Sequence, residues 1–250
     1  MQNARVILLP GLSGDPRLLA PQAQAFPESV ETPAWIAPEP GESLERYARR
    51  WAKQLRREDD PRPTFVGGVS FGGVLAMHMA EVLQPEAVIL IASCRSSDDV
   101  PLRYELAAKL GMSLPAGAIR KLLPFAAAVF ALREGLDADH FSLLRSIARD
   151  ADAEMLRWAA RAVADWSFTE SDRLPCPVYR VHGRHDWVIP LRDDPDAHRL
   201  HARHLISLTM DRSVNDFLRG VVANHGAQLP TTASRPPARV DRPTYMTASA

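Results

Sequence analysis

One stretch of the chain, residues 66–73, restricts the possible fold more than any other part of the sequence. Its centre has the pattern Gly-x-Ser-x-Gly, formed by Gly68, Ser70 and Gly72, between a short apolar run and a segment with helical character. A strand that turns sharply into a helix holds its turn residue in a strained conformation, and only small neighbours fit beside it. The pattern therefore predicts a strand–turn–helix unit with the Ser70 hydroxyl exposed at the turn, although a glycine-rich loop without chemical function has the same composition.

This stretch resembles the nucleophile turn of the α/β-hydrolase family, and the resemblance extends over about residues 5–223. It implies an α/β-hydrolase fold, with a mostly parallel sheet of about six strands, helices on both faces and a helical cap. The order of patterns agrees with this fold, because apolar runs at 5–9, 64–66 and 87–92 alternate with helical segments, as in parallel sheets. Since the sequence begins directly at the first of these runs, we expect the antiparallel hairpin that usually opens the fold to be missing.

We predict one hydrolase domain over residues 1–226 and a tail over 227–250 that is too rich in Pro, Thr, Ala, Ser and Arg to fold. Between about 96 and 172 the strand–helix alternation stops. In the family an insertion at this place forms a cap over the pocket; the alternative is that these helices only cover the sheet. We expect the cap, because a pocket needs something to exclude water. The helical patterns in this segment cover about 101–110, 117–133, 139–149 and 152–165.

Weaker patterns predict the remaining elements of the sheet and its edges. Residues 29–36 have the composition of a second strand, and a helix is predicted from Ser43 to about Arg57. A short last strand is predicted over 197–201, and a final amphipathic helix over 213–223.

The loop after the predicted strand ending at His182 carries a second part of the resemblance. Gly183 and Asp186 are separated by two residues and followed by apolar residues and a proline, as in the family loop that holds the catalytic acid. Asp186 would accept the imidazole N–H, fix its tautomer and stabilise the imidazolium. A turn aspartate that caps its own loop is the alternative. Other acids are close in sequence or follow the preceding strand, but lack this context: Asp193, Asp194, Asp196, Asp98 and Asp99.

The base must follow the acid in the chain and lie on a loop after the last strand. His204 precedes a leucine just before the final helix, and the segment resembles the Gly-x-His-Leu segment of small esterase-like hydrolases. Two departures are visible, because Ala202 and Arg203 stand where the family usually has a glycine, and the link from Asp186 is short and lacks the usual helix. The remaining histidines after the acid fall in the predicted last strand or behind the predicted final helix: His198, His201 and His225.

Two backbone N–H groups must face the oxyanion that forms during acyl transfer. Phe71, directly after the nucleophile, would supply one of them. By resemblance, Leu12 would supply the other, because Gly11 and Leu12 match the loop after the first strand of the family. The glycines at 11 and 14 could instead cradle a phosphate, but neither Gly-Lys-Ser/Thr nor the dinucleotide-binding spacing is present.

The composition excludes several other classes of protein. Lys plus Arg and Asp plus Glu both number 30, so nothing in the charge suggests nucleic acid or an anionic membrane as a partner. No apolar run approaches the roughly 20 residues that span a bilayer, and the N-terminus has no secretory pattern. Cys94 and Cys176 form no disulfide framework or metal-ligand spacing, which favours a cytoplasmic location.

These observations predict a serine hydrolase that cleaves a small-molecule carboxylic ester through an acyl-enzyme intermediate, without a metal or organic cofactor. An acyltransferase or a thioesterase would use the same residues. A non-catalytic ligand-binding protein on a degenerate hydrolase scaffold is a further alternative, suggested by the short link between the acid and the base. Acyl and alcohol specificity and the oligomeric state are left open by the sequence.

Overall fold

The computed structural model of the protein describes residues 3–102, 115–169, 174–192 and 194–226. Its strands form one six-stranded sheet in the order β2-β1-β3-β4-β5-β6, and every neighbouring pair is parallel. The strands are β1 (Arg5–Leu9), β2 (Val30–Glu31), β3 (Thr64–Val69), β4 (Ala87–Ile91), β5 (Val178–Gly183) and β6 (His198–Leu200). The predicted α/β-hydrolase fold with a parallel sheet is thereby confirmed, and within the described residues no antiparallel hairpin precedes β1.

Eight α-helices lie wholly within the described part of the chain. They are α1 (Ala20–Ala25), α2 (Leu44–Leu55), α3 (Phe71–Leu83), α4 (Ala116–Glu134), α5 (Ala138–Asp150), α6 (Ala153–Ala164), α7 (Ile206–Thr209) and α8 (Asp211–Gly226). Helices α4 to α6 agree with three of the patterns predicted between β4 and β5. The helix predicted over 101–110 lies mostly outside the described residues, and the predicted tail lies entirely outside them.

The sheet is covered on both faces because its strands alternate between two apolar cores. Along β1, Ile7 packs with α2 and α3, where Tyr47 and Trp51 are fully or almost fully buried. Val6 and Leu8 point to the opposite face and pack with α8. The carboxyl ends of the central strands are therefore held rigidly, and loops from these ends meet above the sheet.

Two sequence predictions about element bounds are wrong. Strand β2 covers only Val30–Glu31 instead of 29–36, because it lies at the edge of the sheet and Pro33 has no N–H for a ladder. The final helix runs from Asp211 to Gly226, so His225 lies inside it and not behind it. Among the described residues, no helix has the length and apolar composition needed to cross a membrane.

Candidate active site

The turn between β3 and α3 places Ser70 at the carboxyl edge of the sheet. Ser70 has φ 53° and ψ −122°, a strained backbone conformation for a residue with a side chain. A Cβ atom on Gly68 would overlap the backbone of Gly72, and one on Gly72 would overlap the carbonyl oxygen of Leu9. Both glycines of the Gly-x-Ser-x-Gly pattern are thus required by backbone contacts, as the sequence predicted.

Hydrogen bonds to its own backbone fix the orientation of Ser70. Its N–H donates to the carbonyl of Ile91 at 2.9 Å, and its carbonyl accepts from the Ser93 hydroxyl at 2.6 Å. The N–H of Gly73 donates to the same carbonyl at 3.0 Å. These three hydrogen bonds hold the Ser70 backbone between the end of β4 and the first turn of α3.

The loop after β1 lies directly beside this turn. An added Cβ on Gly11 would be 3.4 Å from the carbonyl oxygen of Val69 and 3.7 Å from Cβ of Ser70. Leu12 follows, and both loop residues line the same cavity as Ser70 and Phe71. As the first residue of α3, Phe71 has an N–H without an acceptor inside the helix. The two predicted oxyanion donors therefore lie beside Ser70, Leu12 on the loop after β1 and Phe71 at the start of α3.

The side chains of Asp186 and His204 form a hydrogen bond. Nδ1 of His204 lies 2.8 Å from Oδ2 of Asp186, and both side chains are buried. Since a carboxylate accepts, Nδ1 carries the hydrogen and Nε2 of His204 is left to accept a proton. The other carboxylate oxygen of Asp186 accepts from the N–H groups of Val188 and Ile189 at 2.8 and 2.9 Å.

A second histidine, His182, also contacts the predicted acid. Its Nε2 atom lies 2.8 Å from the carbonyl oxygen of Ile189 and 3.1 Å from Oδ2 of Asp186. Because a carbonyl oxygen only accepts, Nε2 must carry the hydrogen and is shared between the two oxygens. His182 is fully buried at the end of β5, and its Nδ1 atom has no hydrogen-bond partner among the described residues. The sequence placed His182 only as a strand end, and its contact with Asp186 was not predicted.

These contacts determine the ionisation of Asp186. Burial alone would raise the pKa of this carboxyl. Hydrogen bonds and charge interactions with His182 and His204 outweigh burial, and the pKa of Asp186 lies well below its usual range. Asp186 is therefore ionised at neutral pH, which is the state required to hold an imidazolium.

The alternative candidates for the acid and the base make contacts elsewhere in the molecule. Asp99 and Asp194 surround the buried guanidinium of Arg180, at 3.4 and 3.3 Å. His201 is exposed and has its Nε2 atom 3.1 Å from that of His185. Further along the chain, His198 stacks on Phe217, and Nε2 of His225 lies 3.1 Å from the Tyr179 hydroxyl. None of these side chains lines the cavity that contains Ser70; Asp193 lies outside the described residues.

Ser70 and His204 line one cavity of about 560 Å³ above the sheet. Helices α4, α5 and α6 form one side of it, which is where a cap was predicted. The cavity walls are apolar, and no Asp, Glu, Lys or Arg belongs to them in the described part of the chain. The three helices contribute Leu123, Ala127, Phe130, Leu144, Ile147, Ala148, Leu156, Ala160 and Val163.

Cys94 also lines the cavity and is a possible competing nucleophile. It is a free thiol, and burial raises its pKa to about 12. The thiolate is therefore rare at neutral pH, and the thiol is a poor nucleophile there. Across the described ranges, no group of three or more His, Cys, Asp or Glu side chains is arranged to hold a metal ion.

Glu134, the last residue of α4, reaches the base from the cap side. Its buried carboxylate accepts from the backbone N–H groups of His204 and Leu205, each at 3.0 Å. The same carboxylate accepts from the indole N–H of Trp187 at 2.5 Å. No sequence pattern pointed to Glu134, because it lies 70 positions from His204 on a helix with ordinary charges.

Comparison with known sequences gives one clear match. Residues 5–241 match the profile of the family described as the alpha/beta hydrolase family. A search of curated proteins finds no significant match to the sequence.

Solved structures with similar folds include several enzymes. A thermophilic esterase from Thermogutta terrifontis has a TM-score of 0.69 and 17% identity, with 89% of this chain and 90% of that chain covered. An enol-lactonase from Burkholderia xenovorans LB400 has a TM-score of 0.63 and 15% identity, covering 89% and 92% of the two chains. An epoxide hydrolase from metagenomes of hot environments has a TM-score of 0.62 and 16% identity, covering 90% and 92%. At these identities the similarity establishes the fold and not the substrate.

Proposed function

Because the chain belongs to the alpha/beta hydrolase family, we propose that it is a serine hydrolase that cleaves small carboxylic esters. One observation carries this proposal: Ser70 and His204 line one apolar cavity, while Asp186 holds the far nitrogen of the His204 ring. The three groups occur in the order nucleophile, acid and base along the chain. The carboxyl of Asp186 is ionised, as the role of the acid requires.

The first half of the reaction forms an ester between the substrate and the enzyme. Nε2 of His204 takes the proton of the Ser70 hydroxyl while Oγ attacks the carbonyl carbon. The negative charge that develops on the carbonyl oxygen is stabilised by the N–H groups of Leu12 and Phe71. The intermediate then collapses, and the imidazolium donates its proton to the departing alcohol oxygen.

The second half releases the acid and restores the enzyme. A water molecule gives a proton to Nε2 of His204 and attacks the acyl carbon, through a second oxyanion at the same two N–H groups. Collapse of this intermediate breaks the bond to Oγ of Ser70, which regains its proton from His204. The net reaction is ester plus water to carboxylic acid plus alcohol. Asp186 remains ionised throughout and stabilises the transient imidazolium.

The cavity suggests which esters are accepted. Its walls lack charged side chains among the described residues, and burying an unpaired charge there would be unfavourable. Each methylene buried against such walls contributes about 0.8 kcal/mol, so uncharged apolar acyl groups are favoured. We expect kcat/KM for p-nitrophenyl esters to rise from acetyl toward longer straight chains, and a succinyl monoester to be a poor substrate.

Active-site labelling provides the direct test. A fluorophosphonate probe should modify the wild-type protein, and mass spectrometry should locate the adduct on Ser70. The Ser70→Ala variant should not react, whereas Ser213→Ala, which removes a hydroxyl from α8 outside the cavity, should react like wild type. A folded wild-type protein that takes up no probe would favour the ligand-binding scaffold. Label on Ser70 together with faster transfer to an alcohol or thiol than to water would instead favour an acyltransferase.

A further inference from the structure

The carboxylate of Glu134 connects three parts of the site that are distant in sequence. It belongs to α4, and it accepts from the backbone of the loop that carries His204. It also accepts from Trp187, the residue that follows Asp186. A single side chain thus connects the cap side, the acid loop and the base loop.

The position of Glu134 is unfavourable for the helix itself. An acid in the last turn of a helix lies close to the negative end of the helix dipole. The side chain is only 7% exposed, and burial of a carboxylate is costly unless donors surround it. Its three donors come from outside α4 and offset this cost. A glutamate at this position does not stabilise α4 itself. It is explained by the hydrogen bonds that attach the acid loop and the base loop to the helix.

The loop between β6 and α7 carries the base, and backbone hydrogen bonds of 2.9 Å hold two of its carbonyl groups. His204 lies on this irregular segment, so the position of its ring depends on its own backbone. Glu134 holds the N–H of His204 itself and that of the next residue. One neighbouring contact supports the same attachment, because the Arg203 guanidinium donates to the carbonyl of Arg133 at 2.7 Å.

We propose that Glu134 is a positioning residue for the base: it fixes the backbone of His204, and so keeps the imidazole on Asp186 and at the cavity that Ser70 lines. This inference rests on the proposed function, since it concerns the residue that takes the serine proton. Glu134 itself does not line the cavity, so we expect its larger effect on the turnover step and a smaller one on substrate binding. A misplacement of about 1 Å at a reacting group can reduce the rate roughly 100-fold.

The variant Glu134→Gln tests this with little change in volume. A glutamine has one accepting oxygen and one donating amide, so it cannot serve donors on both sides. If its oxygen faces the two backbone N–H groups, its amide meets the indole N–H of Trp187, and a donor then faces a donor. We expect kcat for a p-nitrophenyl ester to fall roughly 10- to 100-fold, with KM changed less than about threefold. Glu154→Gln, which alters an exposed acid on α6, is the matched control and should keep the wild-type kcat.

The variant Trp187→Phe separates positioning from simple packing. Once the indole N–H is removed, the amide oxygen introduced by Glu134→Gln can hold the two backbone groups without a donor conflict. The double variant Glu134→Gln/Trp187→Phe should therefore recover several-fold of the kcat lost in Glu134→Gln. Additive losses in the double variant would overturn the proposal, as would a wild-type kcat in Glu134→Gln. If Glu134→Gln does not fold, the double variant is compared with Trp187→Phe and should retain a similar kcat.

A spectroscopic measurement makes the result independent of turnover. The proton shared by Nδ1 of His204 and Asp186 should give a low-field resonance in the wild-type proton spectrum, assigned by its loss in His204→Ala. In Glu134→Gln this resonance should broaden or disappear, and it should return in the double variant. A sharp, unshifted resonance in Glu134→Gln would refute the positioning role, even if no ester is cleaved. A further outcome is that the wild-type protein takes up no fluorophosphonate while Glu134→Gln still loses the resonance. That pair of results would refute the hydrolase and support the positioning of His204 by Glu134.

Discussion

Nδ1 of His204 lies 2.8 Å from Oδ2 of Asp186, and only 18 positions separate the two residues in the chain. In many sheets of this kind a helix would separate the last two strands. Here the described part of the connection carries only β6, a strand of three residues. The short link therefore suffices to bring the acid and the base together, because β6 runs parallel to β5 and its carboxyl end lies beside that of β5.

If this pair acts with Ser70 as one unit, the effects of its substitutions should not add. His204→Ala is expected to reduce kcat at least about 10³-fold. Asp186→Asn should also reduce kcat, because its amide can face the two imidazole N–H groups and favour the wrong tautomer of His204. The loss should be smaller, because the imidazole that takes the proton is retained. The double variant should be little slower than His204→Ala alone. Steady-state kinetics on a p-nitrophenyl ester measure all three.

The other histidines serve as controls for this prediction. His198→Ala, His201→Ala and His225→Ala remove side chains that do not line the cavity, and their kcat should stay within a few-fold of wild type. If His204→Ala keeps most of the activity while one of these controls loses it, His204 is not the base.

His182 is expected to stabilise the site through Asp186. His182→Ala would leave the Ile189 carbonyl without its donor and open a cavity at the end of β5, so the free energy of unfolding should fall by about 2–4 kcal/mol. His182→Gln retains a side-chain N–H donor and should lose clearly less. Urea unfolding of the two variants measures the difference. Equal losses would mean that the imidazole ring itself, and not the donated hydrogen, matters at this position.

The low pKa of Asp186 makes part of the stability depend on pH. The folded state lowers this pKa below the unfolded value, so the contribution is present above about pH 4 and is lost as pH falls through the folded pKa. The difference in unfolding free energy between wild type and Asp186→Asn should shrink as pH falls below about 4. Denaturant unfolding across this range tests it. A difference that grows in acid would contradict the ionised state of Asp186.

Gly72→Ala should damage both stability and turnover. The new methyl group would overlap the Leu9 carbonyl oxygen and lie 2.6 Å from that of Pro10, so the loop that carries Leu12 must move. We expect a loss of at least about 2 kcal/mol in unfolding free energy, and a fall in kcat as one oxyanion donor is displaced. Gly220→Ala in α8 meets no atom within 4 Å and should stabilise the protein by about 0.5–1 kcal/mol.

The predictable parts of the site are those that depend on residues close to one another in the sequence. The Ser70 turn needs small residues at two fixed offsets, and the backbone contacts of Gly68 and Gly72 show why. Asp186 was recognisable because its loop places a carboxylate shortly after a strand-ending glycine, and its carboxylate also caps that loop. The positions of both residues agree with the prediction, while their catalytic roles stay predictions.

The contacts that were not predictable depend on tertiary packing. Glu134 meets His204 across 70 positions, and nothing near Glu134 in sequence distinguishes it from an exposed helical acid. His182 has the apolar surroundings of any buried strand end, so its bond to the acid appears only once the loop folds back. The overestimate of β2 has a similar origin, because apolar composition predicts a strand but not how many residues find a partner at the edge of a sheet.

The all-parallel sheet also has a consequence for the order in which the protein folds. Strand β3, helix α3 and strand β4 follow one another in sequence, so the turn at Ser70 and its bond to Ile91 close over a short stretch of chain. Val88 of β4, by contrast, pairs with Val178 of β5 across the whole helical segment between them. Closing so long a loop has a large entropic cost and slows the step. The nucleophile turn should therefore form early, and the acid and base should join it only when β5 docks late in folding.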